Sequence, residues 1–255
     1  MTKFWAPGRV KTRLARSMLD HPIWVERWTN RHRPPCGGSN QIEDPEARSL
    51  TIAARLHERF VRQLLDELQD SGDFRELVGT PKEAFAIMRA IAGPNWQLVD
   101  QGTGNLGDRM RRWFSAKVAM GNGIHESAAI LIGSDCPLLD RNDIEDTWDL
   151  LDGHDIVLGP AVDGGYYLIA IAGWQRPEDI ATVFDGIDWS TETVLEQTLE
   201  AVQKLGWSLA TLPQRRDVDT SEDLAALLEA FPPSGSGLTD RFRDDLICIL
   251  DFYSQ

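Results

Sequence analysis

The residues able to do chemistry gather where apolar runs give way to turns. Residues 128–139, AAILIGSDCPLL, open as an apolar run, break at Gly133 and Ser134, present one carboxylate at Asp135 and turn at Pro137. A short apolar run bounded by turn residues predicts a buried parallel strand. Ligands of open α/β sheets sit beyond the carboxyl ends of such strands. Asp135 therefore stands where a metal or a substrate group would be held. Its other role, capping the next helix, is disfavoured because that helix is expected to start later, at 140–143. Asp217 and Asp219 also follow a predicted strand. Two carboxylates at i and i+2 in a loop can face one hard cation, and Mg²⁺ favours a few carboxylates plus phosphate oxygens. Asp219 or Thr220 also suits the N-cap of the helix that begins at Ser221.

Near the start, Pro7 and Gly8 turn the chain into a basic helix start that carries Lys11 and Arg13. Exposed backbone N–H groups and two cations suit a diphosphate. The GxxxxGK[ST] spacing of a P-loop is absent, and a basic helix start is by itself usually a solvated face. Residues 101–110 form a glycine-rich turn that permits close approach of the backbone to a ligand. Gln101, Gly107 and Arg109 are its nucleotide-facing candidates, though such a turn is more often only a turn. Asp163, in Asp163-Gly164-Gly165, could bind a sugar hydroxyl or act as a base, or simply make the turn. Asp163 and Lys11 are the candidate catalytic groups. The histidines lie away from these junctions, so no histidine catalysis is expected.

The elements that must position these residues alternate. Helical spacing is clear over 50–68, where Leu56, Phe60, Leu64 and Leu68 recur every fourth residue. Strands are expected at 74–78, 96–99, 128–132, 155–158, 165–171 and 207–212. Helices are expected at 82–91, 106–120, 143–151, 178–183, 192–205 and 221–230, with Ser190 or Thr191 as the N-cap of the 192–205 helix. Alternation of this kind predicts an α/β fold with a mainly parallel three-layer sheet. One domain, 1–231, is expected. It contains a proline- and glycine-broken loop at 20–47 and is followed by a linker and helical tail over 232–255, which packs on the domain or on a partner, with a homo-oligomer as one option.

Composition narrows the class. The 255 residues, 42% hydrophobic and 26% charged, are those of an ordinary globular protein. A formal net charge of −14 argues against a nucleic-acid binder. The first sixteen residues nevertheless carry Lys3, Arg9, Lys11, Arg13 and Arg16 and no acid, which suits a small anionic ligand. The three cysteines, Cys36, Cys136 and Cys248, form no CxxC pair. Neither a disulfide framework nor a structural zinc site is expected, and a reducing cytoplasm fits. No apolar run approaches the length of a membrane span.

Six motifs occur in order: KxxxPGxVKTRLA from Lys3, GxLGDRM from Gly104, IGSDCPLL from Ile132, LGPAxDGGYYLI from Leu158, DWST from Asp188 and DVDTxEDL from Asp217. Together they resemble bacterial GT-A-like transferases of the radical-SAM/selenodomain-associated type, which include arsenosugar biosynthesis glycosyltransferases. The wider nucleotide-diphospho-sugar transferase superfamily also contains phospholactate and molybdenum-cofactor guanylyltransferases. The resemblance implies a Rossmann-like αβα domain that binds a nucleotide or nucleotide-sugar donor and a small acceptor, with Mg²⁺ or Mn²⁺. Carried over by motif, Lys11 and Arg13 are phosphate contacts, Asp135 is the metal-binding aspartate, and Asp217 and Asp219 are further metal or ribose-side carboxylates. Asp163 to Gly165 face the acceptor. A metal-dependent glycosyltransferase is the leading expectation, with a nucleotidyltransferase and a non-catalytic nucleotide-binding protein as alternatives. The family places an apolar strand before its first motif, and here almost nothing precedes Lys3. Either a true start that lies upstream, or a truncated first strand that leaves a gap in the sheet, is therefore expected.

Overall fold

A computed structural model describes residues 1–3, 6, 8–20, 44–120, 128–231 and 237–252. They fall into two compact units, one made of Met1–Thr2 and Glu67–Asp217, the other of Lys3–Asp66 and Val218–Gln255. Pro7, and most of the loop expected at 20–47, lie outside the described residues.

The first unit carries the sheets. β2 (Glu76–Thr80) runs parallel to β3 (Gln97–Asp100), with Leu77 opposite Leu98 and Val78 opposite Val99. The expected first strand is present as β1 (Thr2–Lys3), only two residues long, at the edge of β2. A second sheet has the order β4-β6-β5-β7, built from β4 (Ala129–Ile132), β5 (Ile156–Pro160), β6 (Tyr166–Ile171) and β7 (Leu209–Thr211). From beside β1, the Met1 amino group donates to the carbonyl of Ile132 in β4, a hydrogen bond between the two sheets.

The expectation of a mainly parallel sheet needs correction. Among the described residues, β2–β3 and β5–β7 are parallel, whereas β4–β6 and β5–β6 are antiparallel. The cause is local. Residues 161–165 join β5 to β6 in one tight turn, and a connection that short can only reverse the chain. β4, β5 and β7 still share one direction, with β6 running against them.

β5 and β6 are apolar on both faces, as central strands must be. Residues 156–159 and 167–171 are all buried. Ile156, Leu158, Ile169 and Ile171 point to one face, where they meet Met110 and Phe114 of α4 (Leu106–Met120), Ile180 and Val183 of α6 (Pro177–Val183) and Val202 of α7 (Val194–Leu205). Phe114 stacks on Phe184 there, ring centroids 5.8 Å apart. Helix α5 (Arg141–Leu151) contacts β5 and β6 without joining that cluster, so helices cover both faces. α3 (Phe85–Ala92), entered through a 3₁₀ turn at Lys82–Ala84, packs on β2 and β3.

One carboxylate ties the far ends of these strands together. Asp155, just before β5, accepts from the Trp174 indole at 2.8 Å, the Gln175 amide, and the Ser208 N–H and hydroxyl at 2.8 and 2.6 Å. Burial pushes its pKa up, but the hydrogen bonds from Ser208, Trp174 and Gln175 outweigh that and hold it below the usual value. A depressed carboxylate contributes stability above its unfolded pKa of about 3.9 and loses it as pH falls through the folded value. Asp155→Asn should therefore cost about 1–3 kcal/mol at pH 7, and the deficit should shrink as pH drops below 4. Urea unfolding at pH 7 and pH 3 measures both; a deficit independent of pH would refute the account.

The second unit is helical: α1 (Thr12–Asp20), α2 (Pro45–Glu67), α8 (Ser221–Ala230) and α9 (Gly237–Phe252). α2 begins five residues before the helix expected from 50–68. It buries Leu56, Phe60 and Leu64, as their spacing predicts. The tail is helix α9. Its Phe242 meets Phe60 and Phe231 edge to face, and Arg59 of α2 lies 4.7 Å over the Phe242 ring while donating to Asp245 at 2.7 Å. Cys136 is a free, buried thiol, but Cys248 is disulfide-bonded. A disulfide at Cys248 is one that the spacing of the cysteines does not announce. Among the described residues, no helix is long and apolar enough to cross a membrane.

Candidate functional site

The C-terminal ends of the strands in the first unit collect the candidate residues. Beyond β5 and β7 the backbones keep pairing. Arg215 N–H donates to the Pro160 carbonyl at 3.0 Å, Val162 N–H donates to the Arg215 carbonyl at 3.0 Å, and Ala161 bridges Arg215 in parallel. Asp163, in the turn after β5, and Asp217 each stand two residues beyond that bridge. Their carboxylate oxygens lie within 4.8 Å of each other. Asp163 is exposed and Asp217 half-buried.

Asp163 also shapes its own turn, accepting from Gly165 N–H at 3.0 Å. The turn is pressed against the start of α7. Leu195 N–H donates to the Gly164 carbonyl at 2.8 Å, and a Cβ on Gly164 would lie 2.0 Å from the Glu192 carbonyl oxygen. The expected caps of α7, Ser190 and Thr191, do not occupy that position. Thr193 is the N-cap residue, and its side chain makes no capping bond. Thr191 instead donates to the Asp188 carbonyl, and Ser190 takes a left-handed φ of 70°.

Asp135 follows β4, with one carboxylate oxygen buried, in the field of the Met1 ammonium. Burial lowers the pKa of that ammonium to about 6, against the opposing pull of Asp135. Among the described residues, Asp135 does not join the carboxylate group that contains Asp163 and Asp217. Its loop is nonetheless fixed: Asp140 and Asp143 form a reciprocal capping box at the start of α5.

The glycine-rich turn is held from within. Gln101 is buried; its amide donates to the Val78 carbonyl at 3.0 Å and its oxygen accepts from Arg109 at 2.9 Å. Arg112 donates to the Gln101 and Thr103 carbonyls, both at 2.8 Å. Asp100 accepts from Gly102 N–H, which lowers its pKa; burial opposes this and Lys82 adds to it. Gly107 leaves room for a tryptophan, since a Cβ there would fall 2.3 Å from the Trp189 indole nitrogen. Gln101 and Arg109, the nucleotide-facing candidates, are thus employed in shaping the loop.

The second unit holds the other set. Lys11 sits just before α1 with a left-handed φ of 50° and a side chain only 3% exposed. A lysine held in that region is a strained residue of the kind that gathers at functional sites. Its ammonium donates to Asp219 at 2.9 Å, and Arg13 pairs with the other oxygen of Asp219. The two cations expected to meet phosphate therefore meet a carboxylate here. Gly8, at φ 75°, makes the turn before them. Thr220 caps α8 in a capping box with Asp223.

Arg215, Arg112 and Trp189 escaped the reading of the sequence. The signal for Arg215 was its place between a strand end and Asp217; nothing in the sequence singles out Trp189 as the partner of Gly107.

The chain has a counterpart among solved structures. The crystal structure of a "putative nucleotide-diphospho-sugar transferase" from Desulfovibrio desulfuricans G20, at 1.90 Å resolution, is 26% identical in sequence. It matches with a TM-score of 0.74 over 98% of this chain and 95% of that one. The likeness supports a transferase of that general kind. Residues 61–191, just over half of the chain, match the family DUF2064, described as "Uncharacterized protein conserved in bacteria". The chain belongs to that family. No curated protein matches it.

Proposed function

We propose that this protein is a metal-dependent transferase that uses a nucleotide-activated sugar and passes the sugar to a small acceptor. The observation that carries the reading is the Asp163–Asp217 pair, two carboxylates brought within 4.8 Å at the ends of parallel strands. Two oxygen donors at that spacing, one of them exposed, suit a hard cation such as Mg²⁺ or Mn²⁺. When bound, such a cation would neutralise charge on the leaving diphosphate. Asp163 and Asp217 would hold it, and Asp135 is assigned to it as a further ligand on the resemblance of its motif. Lys11 and Arg13 are assigned to donor phosphates on the resemblance of their motif, exchanging Asp219 for the phosphate oxygens. The six ordered motifs favour the radical-SAM/selenodomain-associated branch of the superfamily.

A thermal-shift panel of nucleoside diphosphates and nucleotide sugars, with and without Mn²⁺, tests this. One nucleotide should raise Tm only with Mn²⁺ present. No metal-dependent shift with any of them would sink the reading. With the stabilising donor in hand, release of a nucleoside diphosphate supports sugar transfer, whereas release of pyrophosphate would replace it with nucleotidyl transfer.

A further inference from the structure

We infer that Arg215 is a positioning residue, whose side chain locks the Asp135 loop to the strand ends that carry Asp163 and Asp217. The inference rests on the cation-site reading above. The Arg215 guanidinium reaches across from the β7 extension to the loop between β4 and α5. One terminal nitrogen donates to the Leu138 carbonyl at 3.1 Å, three residues beyond Asp135. The other meets both oxygens of Asp143, at 2.6 and 2.8 Å. Asp143 is buried, with a side chain 9% exposed, and it is the residue that closes the capping box of α5. The same fork therefore holds the exit of the loop and the first turn of its helix.

The guanidinium is itself held. It lies 6.0 Å over the Tyr167 ring, and the Tyr167 hydroxyl donates to the Pro213 carbonyl at 3.1 Å, on the segment leading to Arg215. A parallel tie comes from Cys136, whose thiol donates to the Arg216 carbonyl at 3.6 Å. The backbone of Arg215 meanwhile pairs with Pro160 and Val162. One residue thus touches all three strand ends: the Asp163 end through its backbone, the Asp217 end by sequence, and the Asp135 end through its fork. Without the fork, the first two stay in register, and the Asp135 loop is left with the weak Cys136–Arg216 tie and the α5 cap alone. A lysine could neutralise Asp143 or bond Leu138, but it lacks the geometry to do both.

The test is a double-mutant cycle on Mn²⁺ affinity, read from the electron paramagnetic resonance signal of free Mn²⁺ over the full-length protein. Asp135→Asn and Asp217→Asn are each measured in the wild type and in two Arg215 backgrounds. These are Arg215→Lys, which keeps a charge beside Asp143, and Arg215→Met with Asp143→Asn, which removes both charges but keeps an acceptor for the α5 cap. In the wild type, Asp135→Asn should weaken Mn²⁺ binding about tenfold or more. In a background that still melts cooperatively, the same substitution should change affinity less than about threefold, because the carboxylate is already out of place. Asp217→Asn should keep its full effect in both. Additive losses for Asp135→Asn, or no effect of it in the wild type while Asp217→Asn abolishes binding, would overturn the positioning role and leave the cation site standing. No Mn²⁺ binding to the wild type, or binding indifferent to Asp217→Asn, would overturn the cation site itself and the inference with it.

Discussion

Asp217→Asn is expected to erase the Mn²⁺-dependent part of nucleotide stabilisation while leaving the fold intact. A metal–nucleotide complex held at about 100 times its Kd stabilises a protein by about 2.7 kcal/mol. For a chain of this size that is a rise of about 5–10 °C in Tm. Asparagine keeps the shape of aspartate but supplies a neutral oxygen, so the cation loses one of the two carboxylates that the Ala161–Arg215 bridge brings together. The rise should fall below about 1 °C, and turnover of the donor should drop on the order of 10²–10³-fold, the scale of one lost electrostatic group in an active site. The overall charge of −14 offers a trivial route to weak Mn²⁺ binding anywhere on the surface. Asp149→Asn, on an exposed face of α5, controls for it by removing the same unit of charge elsewhere. Differential scanning fluorimetry on the three proteins decides the matter. An Asp217→Asn protein that retains the wild-type shift excludes the pair as the cation site.

How much of this was legible in the sequence depended on how local the cause was. Apolar runs place β4, β5 and β6 to within two residues at either end, and burial on both faces of β5 and β6 leaves mostly apolar residues there. Helix α8 and its cap were equally readable, since the Thr220–Asp223 box lies within four residues. Sheet direction is legible too: a connection of five residues between β5 and β6 implies an antiparallel pair. Long-range pairings were not legible. Asp163 and Asp217 stand 54 positions apart in sequence, and only the register of β5 against the β7 extension brings them together. The capture of Asp219 by Lys11 and Arg13 spans more than 200 residues, and no periodicity announces it. The cap of α7 falls at Thr193 for a related reason. Ser190 and Thr191 have cap chemistry, but the helix starts where the Asp163 turn lets it, so its first turn is set by packing rather than by local propensity.

That packing makes Gly164→Ala the substitution with the largest expected structural effect. Gly164 has φ +87°, a region that costs an ordinary L-residue about 1–2 kcal/mol. The added methyl would also lie 2.0 Å from the Glu192 carbonyl oxygen, a backbone atom that cannot rotate away. Relieving that overlap means pushing the start of α7 off the turn, stretching the Leu195–Gly164 hydrogen bond and adding about 1–3 kcal/mol of overpacking. The sum, about 2–5 kcal/mol, should lower Tm by about 10 °C. Gly165→Ala is the matched control. Gly165 is not in the left-handed region, and the nearest atom to its new methyl would be the Asp163 carboxylate oxygen at 3.2 Å, the end of a side chain that can turn. It should melt within about 3 °C of the wild type, yet weaken Mn²⁺ binding by disturbing the carboxylate that accepts from Gly165 N–H. The pair thereby separates the two duties of this turn: Gly164 seats α7, and Gly165 aims Asp163. Equal melting temperatures for the two variants would mean that the turn does not press on α7 as the contact with Glu192 requires.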